Sequence, residues 1–234
     1  MIENNNKIIK NLEATAQTIF NEWFVEFHFP GYEKVKMVES EMGEIPEGWE
    51  VGKVKDLIRI ESGFPFSSGL FDKNGKYKLV TIRNVQDGEF VSDCDNKIVE
   101  LPIKLPEFCK LKTGDILLSL TGNVGRICLV IGSDYVLNQR VSNLVPIKEI
   151  DRAFTYFIFR QKKFQNLLIS MGKGSAQSNL SPIDTKNIEI IIPDERVLEK
   201  FSHVITSFFE NIIYLKEENI SLKSQRDQLL AKLI

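Results

Sequence analysis

Three short stretches of this sequence carry side chains suited to the edges and phosphates of a nucleic acid. Thr121-Gly122-Asn123-Val124-Gly125-Arg126 joins two candidate strands. Its glycines let the backbone approach a ligand closely, and Asn123 and Arg126 bring groups that fit base edges or phosphates. Leu137-Asn138-Gln139-Arg140 places an amide beside a guanidinium at a strand boundary. Residues 171–182 follow a basic segment and offer Lys173, Ser175, Gln177 and Asn179. Arginine or lysine can read guanine, asparagine or glutamine can read adenine, and hydroxyls or backbone amides can hold phosphates. Each stretch alone also reads as an ordinary turn with glycine at left-handed positions. Three of them in one positively charged segment point to a DNA surface made by Thr121, Asn123, Arg126, Gln139, Arg140, Lys173, Ser175, Gln177 and Asn179.

The charge distribution supports that direction. The chain has a net charge of −2, which argues weakly against a nucleic-acid binder. Residues 116–183, however, hold eight cations (Arg126, Arg140, Lys148, Arg152, Arg160, Lys162, Lys163 and Lys173) and three anions (Asp134, Glu149 and Asp151). That segment is +5, which leaves −7 elsewhere. A solvated face with clustered lysines would look the same in sequence, but a local basic face is what a phosphate-binding surface needs.

Catalytic chemistry finds little support. Neither His28 nor His203 has a companion at metal-ligand spacing, and there is no phosphate loop of the GxxxxGKS type or dinucleotide glycine fingerprint. The Asn/Asp-Pro-Pro-aromatic tetrapeptide of amino-methyltransferases is absent as well. Asp115 lacks a nearby Glu-x-Lys partner and reads as a turn-to-strand junction. Cys94, Cys109 and Cys128 have no metal-ligand spacing and are odd in number, as expected of buried or half-buried reduced thiols in a cytoplasmic protein. No apolar run reaches the ~18–20 residues of a spanning helix, and the N-terminus lacks a signal peptide's hydrophobic stretch. Residues 1–10 look cut from a longer helix. The chain reads as a binder without metal or catalytic residues.

The elements that must position these loops fall into three zones. Residues 1–28 form an N-terminal helix whose stripe includes Ile9, Leu12, Ala16, Ile19, Trp23 and Phe27, widened by Phe20 and Phe24. Phe29-Pro30-Gly31 ends it. A polar connector, 29–49, closes on Gly43-Glu44-Ile45-Pro46-Glu47-Gly48-Trp49, an extended opening to the next zone. Residues 50–193 alternate short β-rich runs (77–84, 115–120, 126–131, 135–137, 142–147 and 188–192) with one helix over 152–168.

Residues 194–234 make a long helix with a seam at steps of three and four: Leu198, Phe201, Ile205, Phe208, Ile212, Leu215, Asn219, Leu222, Arg226, Leu229 and Leu233. Nine of these eleven positions are apolar, which is coiled-coil spacing. At ~1.5 Å per residue the helix is roughly 58 Å long. It needs a partner, either the N-terminal helix or a second copy. Because the N-terminal helix is shorter, part of the seam should face another chain. Asn219 either fixes register or marks where the seam frays toward solvent. The expected architecture is α+β: one mixed α/β domain flanked by long coiled-coil-forming helices.

Four stretches resemble the specificity subunit of type I restriction-modification systems. The first is Asn11-Leu12-Glu13-Ala14-Thr15-Ala16-Gln17-Thr18-Ile19-Phe20-Asn21-Glu22-Trp23-Phe24-Val25-Glu26-Phe27, and the second is the Gly43-to-Trp49 opening. The third comprises Gly114-Asp115-Ile116-Leu117, the Thr121-to-Arg126 loop and Gly174-Ser175-Ala176-Gln177-Ser178-Asn179-Leu180-Ser181. The last is Gln225-Arg226-Asp227-Gln228-Leu229-Leu230-Ala231-Lys232-Leu233. Pro193-Asp194-Glu195-Arg196-Val197 departs from the family's pattern by lacking a glutamine.

The resemblance implies a non-catalytic subunit with one target-recognition domain, either a half-subunit or the C-terminal half of a longer protein. Such a domain would read one half of a split site in double-stranded DNA through its major groove. The helices would space the half-sites and dock DNA adenine methyltransferase subunits. S-adenosylmethionine and ATP would belong to partners, including the restriction/translocase subunit, with no cofactor on this chain. A half-subunit could also form a homodimer. The alternative is a helix-mediated scaffold that does not bind DNA.

Overall fold

The apolar stripe at the start of the chain forms helix α1, Ile2–Phe24, and the long terminal seam forms α6, Glu195–Ala231. A computed structural model of the chain describes residues 1–172 and 179–232. α1 stops short of residue 28; Phe27 takes a left-handed φ of 59° just before the Pro30-Gly31 turn. α6 starts where the Asp194 carboxylate accepts a 2.9 Å bond from the Arg196 amide, satisfying a helix-end donor. The two helices lie antiparallel within one chain. Phe24 meets Phe201 edge-on at 4.8 Å near one end, and Asn5 bonds Asn219 near the other.

Between them, β1 (Met37–Ser40) and β2 (Gly43–Pro46) form a hairpin in the connector. β3 (Glu50–Lys53) and a single turn of helix, α2 (Val54–Leu57), lead into β4 (Ile58–Ser62), β5 (Tyr77–Val80), β6 (Lys97–Ile98) and β7 (Lys110–Leu111). β8 (Ile116–Ser119), β9 (Ile127–Leu129), β10 (Tyr135–Leu137) and β11 (Val141–Pro146) follow. Helices α3 (Asp151–Arg160), α4 (Lys162–Gly172) and α5 (Pro182–Lys186) precede β12 (Glu189–Ile192).

One four-stranded antiparallel sheet has the order β4-β11-β8-β9, and a second, mixed sheet the order β6-β5-β10-β7. β12 pairs antiparallel with β3, so the chain enters and leaves this region side by side. The α+β expectation holds.

The core explains where the expected seam is corrected. Phe20, Phe24, Phe154, Phe157 and Phe201 form one buried aromatic cluster, joined by Trp49 and Ile45 from the connector. α6 therefore packs on α3 as well as on α1. Phe209 stacks on Phe157 at 5.7 Å and meets Tyr156 edge-on at 5.2 Å. That second contact makes Phe209 the buried residue at this turn, whereas Phe208 is half-buried.

Leu198, Phe201, Ile205, Ile212 and Asn219 are buried. Leu215 and Leu222 are half-buried, and Leu229 is 62% exposed, because α6 runs past the start of α1. Leu233 lies outside the described residues. On α1, Leu12, Ile19 and Trp23 are half-buried beside the buried Ile9, Ala16, Phe20 and Phe24.

The expected single helix over 152–168 is two. Gln161 adopts an extended conformation between α3 and α4, and its amide donates to Asn21 Oδ1 on α1 at 2.6 Å. The bend lets Phe164 pack back on Phe159 at 4.8 Å and leaves Leu167 exposed. The 77–84 run also shortens to β5. Buried Asn84 turns the chain by accepting from the Thr81 amide at 2.9 Å and donating to the carbonyls of Val91 and Asp93 at 2.8 Å.

Candidate nucleic-acid interface

Two of the three sequence-flagged loops, and the described end of the third, meet at the end of the antiparallel sheet. Leu120, one residue past β8, is the junction. Its amide donates to the Arg140 carbonyl at 3.2 Å, and its own carbonyl accepts from the Leu180 amide at 2.7 Å. The next side chain, Thr121 Oγ1, donates to Asn179 Oδ1 at 2.9 Å. Antiparallel pairing of β8 with both β9 and β11 dictates this convergence, because neighbouring strands deliver their loops to one edge. Asn123, Gln139, Arg140 and Asn179 are exposed there, while Thr121 and Arg126 are half-buried. Lys173, Ser175 and Gln177 lie outside the described residues.

The loop itself is held by its glycines. Gly122 and Gly125 have φ of +72° and +81°, a region strained for other residues. Gly125 also sits against α4, where an added Cβ would lie 3.4 Å from Leu168 Cβ. The glycines thus bring the loop against α4 and form one wall of a cleft of about 340 Å³. Asn123 and Arg126 line it from the loop, Lys162 and Gln165 from α4, and Asp87 from the turn after β5. Arg126 Nη1 donates to Gln86 Oε1, and Gln165 Nε2 donates to Asp87 Oδ1 at 2.8 Å. The cleft combines cationic donors, amides and one carboxylate, the groups that distinguish base edges.

Gln86, Asp87, Lys162 and Gln165 were not among the expected site residues. In sequence, Lys162 contributes only to a charge count; the Asp87-Gly88 dipeptide, a common turn pair, is the one local signal at the other wall.

The basic segment divides into two roles. Lys148 pairs with Glu195 at 2.7 Å, and Arg152 donates to the Gly114 carbonyl at 2.8 Å and pairs with Glu149. Arg160 donates to the Tyr156 hydroxyl at 2.9 Å and lies 3.7 Å from Glu13 on α1. Burial works against its charge, but Tyr156 and Glu13 outweigh burial and hold its pKa above the ordinary value. These three cations secure the fold. Arg126 and Lys162 face the cleft, and Arg140 and Lys163 are exposed.

The remaining titratable candidates are structural. Asp115 accepts from the Lys112 amide at 2.8 Å at its turn, and burial raises its pKa. Cys94 and Cys109 are pushed up to about 11 and Cys128 to about 12, chiefly by burial, which leaves all three as poorly reactive thiols. His28 contacts Glu22 at the surface, and His203 is exposed on α6. Among the described residues, no group of His, Cys, Asp or Glu could hold a metal ion, and no helix is long and apolar enough to cross a membrane.

Residues 46–224 match the family described as the type I restriction modification DNA specificity domain. The chain belongs to this family. It is 29% identical over its whole length to the MjaIX specificity subunit of Methanocaldococcus jannaschii, covering 54% of that protein. It is 24% identical over 81% of its length to the HindI specificity subunit of Haemophilus influenzae, covering 42%. The HsdS subunit of Thermoanaerobacter tengcongensis shares the fold, with a TM-score of 0.55 at 16% identity; the match covers 98% of this chain and 52% of that one. This specificity-family chain thus spans about half the length of the relatives it matches. The family match takes in the convergent loops, the cleft and most of α6.

Proposed function

We propose that this chain reads one half of a split DNA site through the cleft at the sheet end. The observation that carries this reading is the convergence at Leu120, which brings Thr121, Asn123, Arg126, Arg140 and Asn179 to one edge beside Lys162 and Gln165. Amides and a guanidinium suit base edges in the major groove, and exposed lysines on the first turn of α4 suit flanking phosphates.

The antiparallel α1–α6 pair serves as a spacer that fixes the distance and rotation between half-sites. One inserted residue shifts the reach by ~1.5 Å and rotates the face by ~100°. The same helices dock DNA adenine methyltransferase subunits, which carry S-adenosylmethionine and the methylating site; an ATP-driven restriction subunit acts through the complex. The chain itself contributes recognition rather than catalysis. A second copy of the chain would supply the other half-site, and Leu229 and Leu230, exposed on the last turns of α6, suit that contact.

The test is genome-wide mapping of N6-methyladenine in cells expressing the chain with its methyltransferase neighbour. A palindromic split motif supports recognition by a homodimer, and an asymmetric motif supports recognition alongside a different second domain. Absence of any motif that depends on this chain overturns the reading.

A further inference from the structure

We infer that the Gln86-Asp87-Gly88 turn presets the polarity of the reading side chains, making Gln86 and Asp87 positioning residues for base recognition. The inference rests on the DNA reading above. A guanidinium only donates, so Arg126 fixes Gln86 with its Oε1 toward Nη1. The other end of the same amide is also fixed, because Gln86 Nε2 donates to the Arg83 carbonyl at 2.8 Å. A carboxylate only accepts, so Asp87 turns the Gln165 amide with its Nε2 toward Oδ1 at 2.8 Å. Gln165 is buried, and its carbonyl is thereby assigned the acceptor role. Two long side chains that would otherwise sample many rotamers hold a set donor and a set acceptor before DNA arrives, which is preorganisation.

The turn itself is clamped from behind. The Gly88 amide donates to the Ile127 carbonyl of β9 at 2.8 Å, and its carbonyl accepts from Lys216 Nζ of α6, also at 2.8 Å. A side chain in place of the glycine would be strained at a φ of +77°, and its Cβ would displace the Arg160 guanidinium, 2.1 Å away. The turn that orients the cleft is therefore bonded to both the sheet and the spacer helix. With one Nη1 hydrogen engaged by Gln86, the remaining donors of Arg126 suffice for guanine O6 and N7, so guanine is the base assigned to Arg126.

The experiment is selection from a randomised duplex library with the full chain in its methyltransferase complex. It compares wild type with Gln86→Leu, Gln86→Glu and Asp87→Ala, and adds thermal melting and the salt dependence of binding to an unselected duplex. The expected result is that Gln86→Leu lowers the preference for guanine at one position about tenfold, with unselected-duplex binding and its salt slope unchanged. Gln86→Glu, which keeps an acceptor for Arg126 but loses the donor to the Arg83 carbonyl, restores part of the preference. Asp87→Ala relaxes a second position; because Asp87 is exposed, this variant decides the matter if Gln86→Leu fails to fold. Unchanged preferences in both Gln86→Leu and Asp87→Ala overturn the inference while the DNA reading stands. So does a uniform loss of binding and melting temperature that Gln86→Glu does not restore. A wild-type chain with no base preference overturns both.

Discussion

Asn5 on α1 donates to Asn219 Oδ1 on α6 at 3.0 Å and to Glu218 Oε2 at 2.6 Å, and Asn219 in turn donates to Asn6 Oδ1 at 2.9 Å, a polar cluster in the helix contact. Asn219 is therefore paired rather than frayed, and its partners on α1 tie the two helices in the antiparallel register seen here. Asn219→Leu removes one of two acceptors of the buried Asn5 amide, leaving Glu218, and should lower unfolding free energy by roughly 0.5–1.5 kcal/mol. Asn5→Leu combined with Asn219→Leu removes both polar groups and should recover most of that loss. Urea denaturation of the single and double variants checks this; additive losses would contradict it.

The three-helix packing makes a sharper claim about two adjacent phenylalanines. Phe209→Ala deletes a ring enclosed by Tyr156 and Phe157 and should destabilise by about 3–5 kcal/mol. Phe208→Ala, on the half-buried side, should lose roughly half as much or less. Equal losses in thermal or urea unfolding would restore the two-helix seam read from sequence.

Asp115 gives a pH signature. Burial raises its pKa in the folded state above the ordinary 3.8, despite the Lys112 amide bond and nearby Arg152. Its protonated form is favoured by folding, so this contribution to stability is fully present below pH 3.8 and is lost as pH rises through the folded-state value. Asp115→Asn keeps an acceptor without the ionisable proton. The stability of wild type relative to this variant should fall as pH rises above 3.8 and then level off. Unfolding curves measured across acidic pH would show a flat difference if burial did not dominate.

Lys162 and Arg126 should separate by kind of effect. Lys162→Ala removes an exposed cation from the cleft rim and should weaken binding to all duplexes alike, reducing the slope of log K against log salt by ~0.9. Arg126→Ala should instead narrow the gap between preferred and other sequences. Titrations at several salt concentrations distinguish the two, and a sequence-selective effect of Lys162→Ala would reassign it to a base.

Local pattern made some of this architecture legible. The three-and-four spacing located both terminal helices, and the Gly122 and Gly125 pair marked a real loop at the sheet end. Other features depended on distant partners. Gln161 breaks a helix without proline or glycine because Asn21 and the Phe159–Phe164 contact reward the bend. Arg160 was counted with the basic face, but Glu13, 147 positions earlier in the chain, draws it inward. Gln86 and Asp87 follow a strand that Asn84 cuts short, and their neighbours Arg126 and Gln165 lie far along the sequence. No motif of adjacent residues contains that cleft.

The pairing of β3 with β12 sets Glu50 opposite Ile192. Everything between those residues departs from and returns to one point beside the helix pair, like a cassette held at its two ends. A different insert with the same pair of closing strands would meet α1 and α6 at the same doorway. On the proposed function, exchanging the residues between these two positions would change the surface that meets DNA and leave the α1–α6 pair as it is.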